Sequence, residues 1–176
     1  AIDSHDLGDV KIAATEALAR IGTGEAIASL QKLLLNRPGD EQAYAVDGWD
    51  DYWDIQRCAV NAMGELQVAA SAPDLAELLE MEDGQDIEVE VLNALAKSGK
   101  AGIDHLLERA DGSATRTQRR IAAALALVKP GFREECLSLL VGMLTHEDPP
   151  VRQAACETLG HYADPRVLAE LMPCCV

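Results

Sequence analysis

The one adjacent His-Glu pair in the chain, His146-Glu147, is the first place to look for metal or acid–base chemistry. The four histidines, His5, His105, His146 and His161, are scattered singly. A zinc site needs three or four convergent ligands, so isolated histidines read as surface or internally satisfied residues. Cys174 and Cys175 are adjacent rather than spaced like a zinc or redox motif, and read as an ordinary helix end. Cys58, Cys136 and Cys156 sit beside Ala and Leu, where a reduced cysteine behaves as a small apolar residue and points to a reducing compartment. There is no glycine-rich phosphate loop, nucleophile elbow or calcium loop, and Gly22-Thr23-Gly24 is too short to cradle phosphate. The sequence therefore nominates no catalytic residue, no metal ligand and no cofactor.

Two stretches carry chemistry of recognition instead. Residues 36–54, NRPGDEQAYAVDGWDDYWD, hold Tyr44, Trp49, Tyr52 and Trp53, four of the six aromatics in the chain. Around them stand Asp40, Glu41, Asp47, Asp50, Asp51 and Asp54 against the single Arg37. Tyr44, Trp49, Asp50, Asp51, Tyr52 and Trp53 are the candidate partner-binding residues, because aromatic anchors among carboxylates suit a basic peptide or protein. Equally, Trp49 and Trp53 could fold back to cover a flank of neighbouring helices. The second stretch, 113–133, has Arg116, Arg119, Arg120, Lys129 and Arg133 and no acidic residue. It reads first as a solvated helix face complementing acidic segments. As a candidate anion-binding set, Arg116, Arg119, Arg120 and Arg133 could instead grip a phosphate or an acidic partner.

The elements that position these residues are helices. Hydrophobic residues make up 48 % of the chain and aromatics 3 %, and apolar residues recur at spacings of three and four with few alternating runs. The pattern is all-α. It also repeats: Ala17-Leu18, Ala62-Met63, Ala94-Leu95, Ala124-Leu125 and Thr158-Leu159 align as anchors separated by 45, 32, 30 and 34 residues. Seven before each anchor stand Val10, Ile55, Ile87, Thr117 and Val151, and three before stand Ala14, Ala59, Val91, Ile121 and Ala155. Two after come Ala19, Gly64, Ala96, Ala126 and Gly160. These offsets share one helical face, and small residues there let a neighbouring helix approach. Breaks at Gly22-Thr23-Gly24, at 70–73, at Gly99 with Gly102, at Pro130-Gly131 and at Asp164-Pro165 introduce second helices near 25–35, 72–81, 102–110, 132–145 and 165–172. The interval of 45 is about a dozen residues longer than the rest, and its excess is the aromatic, acidic stretch.

The phrase Asp148-Pro-Pro-Val-Arg-Gln-Ala-Ala-Cys-Glu-Thr-Leu-Gly160 resembles the repeat of the HEAT-like family, in particular the short repeats of phycobilisome lyases. Lys11, Ala14, Ala17, Leu18, Ile21 and Gly22 make a second copy, while Gln56, Glu88 and Gln118 stand where the family favours Arg. The resemblance implies a right-handed α-solenoid of about five helix pairs with second helices lining the concave side. It spans repeats at about 8–36, 54–82, 86–110, 115–146 and 148–173, with an inserted loop at 37–53, in a single domain over 1–176. Iron-dependent deoxyhypusine hydroxylases share the fold but place His-Glu pairs just after the Val-Arg position, where this chain has Gln153-Ala154, Ile12-Ala13 and Arg57-Cys58. The di-iron reading therefore fails on sequence.

A net charge of −15 argues against a surface built to neutralise phosphates or anionic lipid, and for a basic or neutral protein partner. The expectation is a non-catalytic cytoplasmic binding module or scaffold, excised from a longer array because neither end carries a polar cap. Its alternatives are a bilin lyase-like subunit holding a tetrapyrrole, and phosphate or nucleic-acid contact through residues 116–133.

Overall fold

The computed structural model describes residues 4–35, 52–81 and 87–175, which contain no strand. Helix α1 (Ser4–Ile21) is followed by α2 (Gly24–Leu35), α3 (Tyr52–Glu65) by α4 (Ala72–Leu78), and α5 (Glu88–Lys97) by α6 (Lys100–Ala110). Then α7 (Thr115–Ala124) is followed by α8 (Arg133–Met143), and α9 (Pro149–Tyr162) by the four-residue α10 (Leu168–Leu171). The first helices stack in one row, α1 on α3, α3 on α5, α5 on α7 and α7 on α9. The second helices stack in a parallel row, α2 on α4, α4 on α6 and α6 on α8. Cross-contacts α2–α3, α4–α5, α6–α7 and α8–α9 make each second helix lean on the first helix of the next pair. Every unit thus leans on its sequence neighbours, the arrangement of an all-α solenoid.

The spacing of small and apolar residues explains the stacking. Ala59, Val91, Ile121 and Ala155, three before their anchors, are all fully buried, as are Met63, Leu95 and Leu125, the second residues of the anchor pairs. Helix α3 comes close to α5 because Gly64 has no side chain: a Cβ there would stand 2.9 Å from the Cα of Ala94. Helices α5 and α6 cross even more tightly. A Cβ on Gly102 would lie 2.0 Å from the carbonyl oxygen of Leu95, so Gly102 is a packing residue inside α6 and not part of the break, as the sequence had suggested. The break itself is Gly99, with φ of +77°, a left-handed conformation open to glycine at little cost.

The last second helix differs from expectation. In place of one helix over 165–172 the chain makes a 3-10 turn (Pro165–Val167), the short α10, and another 3-10 turn (Met172–Cys175). Pro173 lacks an amide hydrogen and crowds the preceding turn, so an α-helix cannot run through it.

The residue after the β-branched position has a use the sequence did not reveal. Gln56 Nε2 donates to the carbonyl of Leu34 at 2.7 Å, Gln118 Nε2 to that of Ala110 at 3.2 Å, and Arg152 Nη1 to that of His146 at 2.7 Å. In the first two cases the opening of one repeat closes the carbonyl end of the previous second helix, whose last acceptors have no partner within the helix, whereas Arg152 holds the turn that follows α8. Glu88 cannot donate. There Arg109 Nη2, reaching from α6, serves the carbonyl of Leu79 at 3.2 Å.

Candidate functional site

Among the candidate partner-binding residues, Tyr44, Trp49, Asp50 and Asp51 lie outside the described residues. Tyr52 opens α3, and Trp53 beside it is half-buried in the first turn. Asp54 follows and accepts from Arg57 Nη1 at 3.4 Å. The long interval therefore delivers its aromatic end directly into a helix that is packed on both sides, against α1 and α5.

The second-helix row presents an acidic depression of 380 Å³ between α4 and α6. Ala76 and Leu79 contribute apolar surface, and Glu77, Glu80, Glu108, His105 and Arg109 line the rest. Three carboxylates thus face one guanidinium. That guanidinium is already engaged, since Arg109 pairs with Glu80 and donates to the Leu79 carbonyl. Glu77 and Glu108, both exposed, are left to set the sign of the depression.

The basic stretch is divided by the fold. Arg116, Arg119 and Arg120 lie on α7, with the first two exposed. Arg120 is largely covered and paired with Glu88, whose other carboxylate oxygen accepts from Thr117 Oγ1 at 2.5 Å. Arg133 belongs to a different place, on α8. Its guanidinium carbon lies 4.8 Å from the centre of the Tyr162 ring, and its Nε donates to the Val128 carbonyl at 3.2 Å. Burial pushes the Tyr162 hydroxyl pKa up, and that hydroxyl donates to the Leu125 carbonyl at 2.8 Å. Arg133 thus serves packing between α8 and α9. The four arginines nominated as an anion-binding set are not one constellation.

Arg119 and Arg120 do converge on a groove of 580 Å³ that crosses α5, α7 and α9 on the first-helix side. Val89, Leu127, Ala123, Ala154 and Pro150 line it with apolar surface, joined by Asn93, Gln153 and Glu157. Val89 and Leu127 are both exposed. Their exposure was legible only once α5 and α7 were known to stack.

In His146 the Nδ1 accepts from the amide of Asp148 at 3.0 Å, which leaves the hydrogen on Nε2, 2.9 Å from Gln118 Oε1. Both ring nitrogens are used in fixing the turn between α8 and α9. Burial pushes the thiols of Cys58 and Cys136 up, the direction opposite to an activated nucleophile. Cys156 and Cys174 line a further depression at the C-terminal end, where Cys174 is exposed. No helix among the described residues is long and apolar enough to cross a membrane.

Residues 103–176 match the family model for HEAT repeats, and residues 10–36 match that for the PBS lyase HEAT-like repeat. The unmatched middle, 37–102, holds the long interval and two of the copies in which Gln56 and Glu88 replace the usual Arg. No curated protein matches the chain. The two matches, on separate parts of the chain, support a HEAT-like repeat family.

Proposed function

We propose that this chain of HEAT-like repeats is a non-catalytic interaction module that receives a basic segment of a partner protein on its second-helix side. HEAT repeats generally mediate protein interaction or scaffolding, and the repeat assignment is compatible with that role. The observation that carries the finer reading is the depression between α4 and α6, where Glu77 and Glu108 are exposed and the sole arginine is already engaged. Leu79 and Ala76 supply apolar contact for the stem of a lysine or arginine side chain. In this reading the second helices form the concave side. Tyr44, Trp49, Tyr52 and Trp53, with Asp50 and Asp51, extend the surface as aromatic anchors in an acidic field that attracts cationic partners.

The test is isothermal titration with a leucine-containing lysine/arginine peptide. Glu77→Lys with Glu108→Lys is expected to weaken binding about tenfold, and raising the salt concentration is expected to weaken the wild type. Trp49→Ala with Trp53→Ala is expected to weaken binding, with some fall in melting temperature from the half-buried Trp53. Equal affinity in both double variants would overturn the proposal. A second reading, binding of a tetrapyrrole, draws on the match of residues 10–36 to the PBS lyase HEAT-like repeat. It requires an absorbance change on titration with bilin.

A further inference from the structure

The groove across α5, α7 and α9 lies on the first-helix side and belongs to none of the surfaces assigned above. Its apolar surface includes two large exposed side chains, Val89 on α5 and Leu127 in the 3-10 turn that follows α7. Its charge is arranged unevenly. The carboxylates that open α5 are already engaged, Glu88 by Arg120 and Thr117, and Glu90 by Arg57 Nε at 3.5 Å. Arg119 stands exposed on the lining, and Arg116 is one turn away on the same helix. On the α9 side the groove ends at Glu157, whose Oε1 accepts from Gln153 Nε2 at 2.8 Å.

In a chain of net charge −15, α7 brings Arg119 to exposed apolar surface with no carboxylate of its own. The placement also runs against helix stability. Arg116, Arg119 and Arg120 fall in the first two turns of α7, and no acidic residue is present in the first turn. Arg116, in the first turn, is a cation at the positive end of the helix dipole, an effect that fades by Arg119 and Arg120. Arg120 is held by its covered pair with Glu88.

We propose that this groove docks an acidic, leucine-type segment of a partner protein, its carboxylate on Arg119 and its apolar side chains over Leu127 and Val89. Glu157 sets the direction, because an acidic residue placed at the α9 end would meet a like charge. Asn93 and Gln153 offer amide groups to the backbone of the bound segment. The surface is separate from the acidic second-helix depression and selects for the opposite charge, so the module would hold two partners of opposite sign on its two sides.

The probe is a fluorescein-labelled peptide in which leucines alternate with aspartates and glutamates, followed by fluorescence anisotropy. A control carries lysine in place of each acidic residue. The acidic peptide is expected to bind, and Arg119→Glu and Leu127→Asp are each expected to weaken it at least tenfold. Both substituted residues are exposed, and unchanged circular dichroism identifies variants that remain folded. Glu77→Lys with Glu108→Lys, on the other side of the molecule, is expected to leave this binding unchanged. The proposal is overturned if the acidic peptide does not bind, if Arg119→Glu binds it as well as the wild type, or if the lysine control competes equally. Displacement of the peptide by a single-stranded oligonucleotide would overturn it in favour of nucleic acid.

Discussion

Gly64 and Gly160 occupy the same place in their repeats, two residues after the anchor, and meet opposite surroundings. A Cβ on Gly64 would press into the Cα of Ala94 on the next first helix, whereas one on Gly160 would meet nothing within 4 Å. The other edge of the repeat shows the same contrast. Ile55 and Val151, seven before their anchors, are 1 % and 0 % exposed, while Val10 at that position on α1 is 64 % exposed. Ala14, Ala17 and Ile21 continue the exposed stripe. Identical residue patterns therefore carry different energies, because the pattern records a capacity for stacking and the neighbouring helix realises it. An apolar side chain that stays in water contributes none of the roughly 1.5–3 kcal/mol that its burial would supply.

That contrast can be broken at several points. The largest effect is expected where backbone itself is in the way. Gly102→Ala places a methyl group into the Leu95 carbonyl, and urea denaturation is expected to show a loss of about 3 kcal/mol or more. A small loss would mean that α5 and α6 can separate without cost. Next comes the matched pair. Gly64→Ala is expected to destabilise by about 1–2 kcal/mol through the α3–α5 contact. Gly160→Ala is expected to stabilise by about 0.5–1 kcal/mol, because only the helical preference for alanine acts there. The same sign for both would dissolve the distinction between interior and edge.

The smallest effect is electrostatic and sits at the C-terminal edge. Arg166 binds Asp164 through Nε at 3.0 Å and Glu134 through Nη1 at 2.9 Å, tying the turn before α10 to the start of α8. The side-chain bond from Arg166 holds the Asp164 pKa down, to about 2. Since the folded value lies below the ordinary one, the contribution is present above about pH 4 and is lost as pH falls toward 2. The cluster is exposed, so Asp164→Asn is expected to lower the melting temperature by only about 1 °C at pH 7, and that difference is expected to vanish near pH 2.

The architecture was legible because it rests on periodicity, and periodicity survives degeneration of individual copies. The anchors Ala62, Ala94, Ala124 and Thr158 are buried as their spacing required. The surfaces were less legible for a physical reason. The charge of a groove depends on which arginines are paired across helices, and the partners of Arg120 and Arg109 come from 32 and 29 residues away. Arg133 looked like part of a basic run, yet its neighbours in space are Tyr162 and the Val128 carbonyl. Gln56 and Gln118 stand where the resembling repeats favour Arg, yet each closes a helix end.

Those backward-reaching bonds bear on how the molecule carries load. Those from Gln56 and Gln118 each cross a joint, Arg152 pins the turn between α8 and α9, and Arg109 fastens the joint at which Glu88 has no hydrogen to give. Pulled from its two ends, such a chain is riveted at every hinge. It should lengthen in discrete steps, one joint failing at a time, and behave between steps as a stiff spring rather than a slack string.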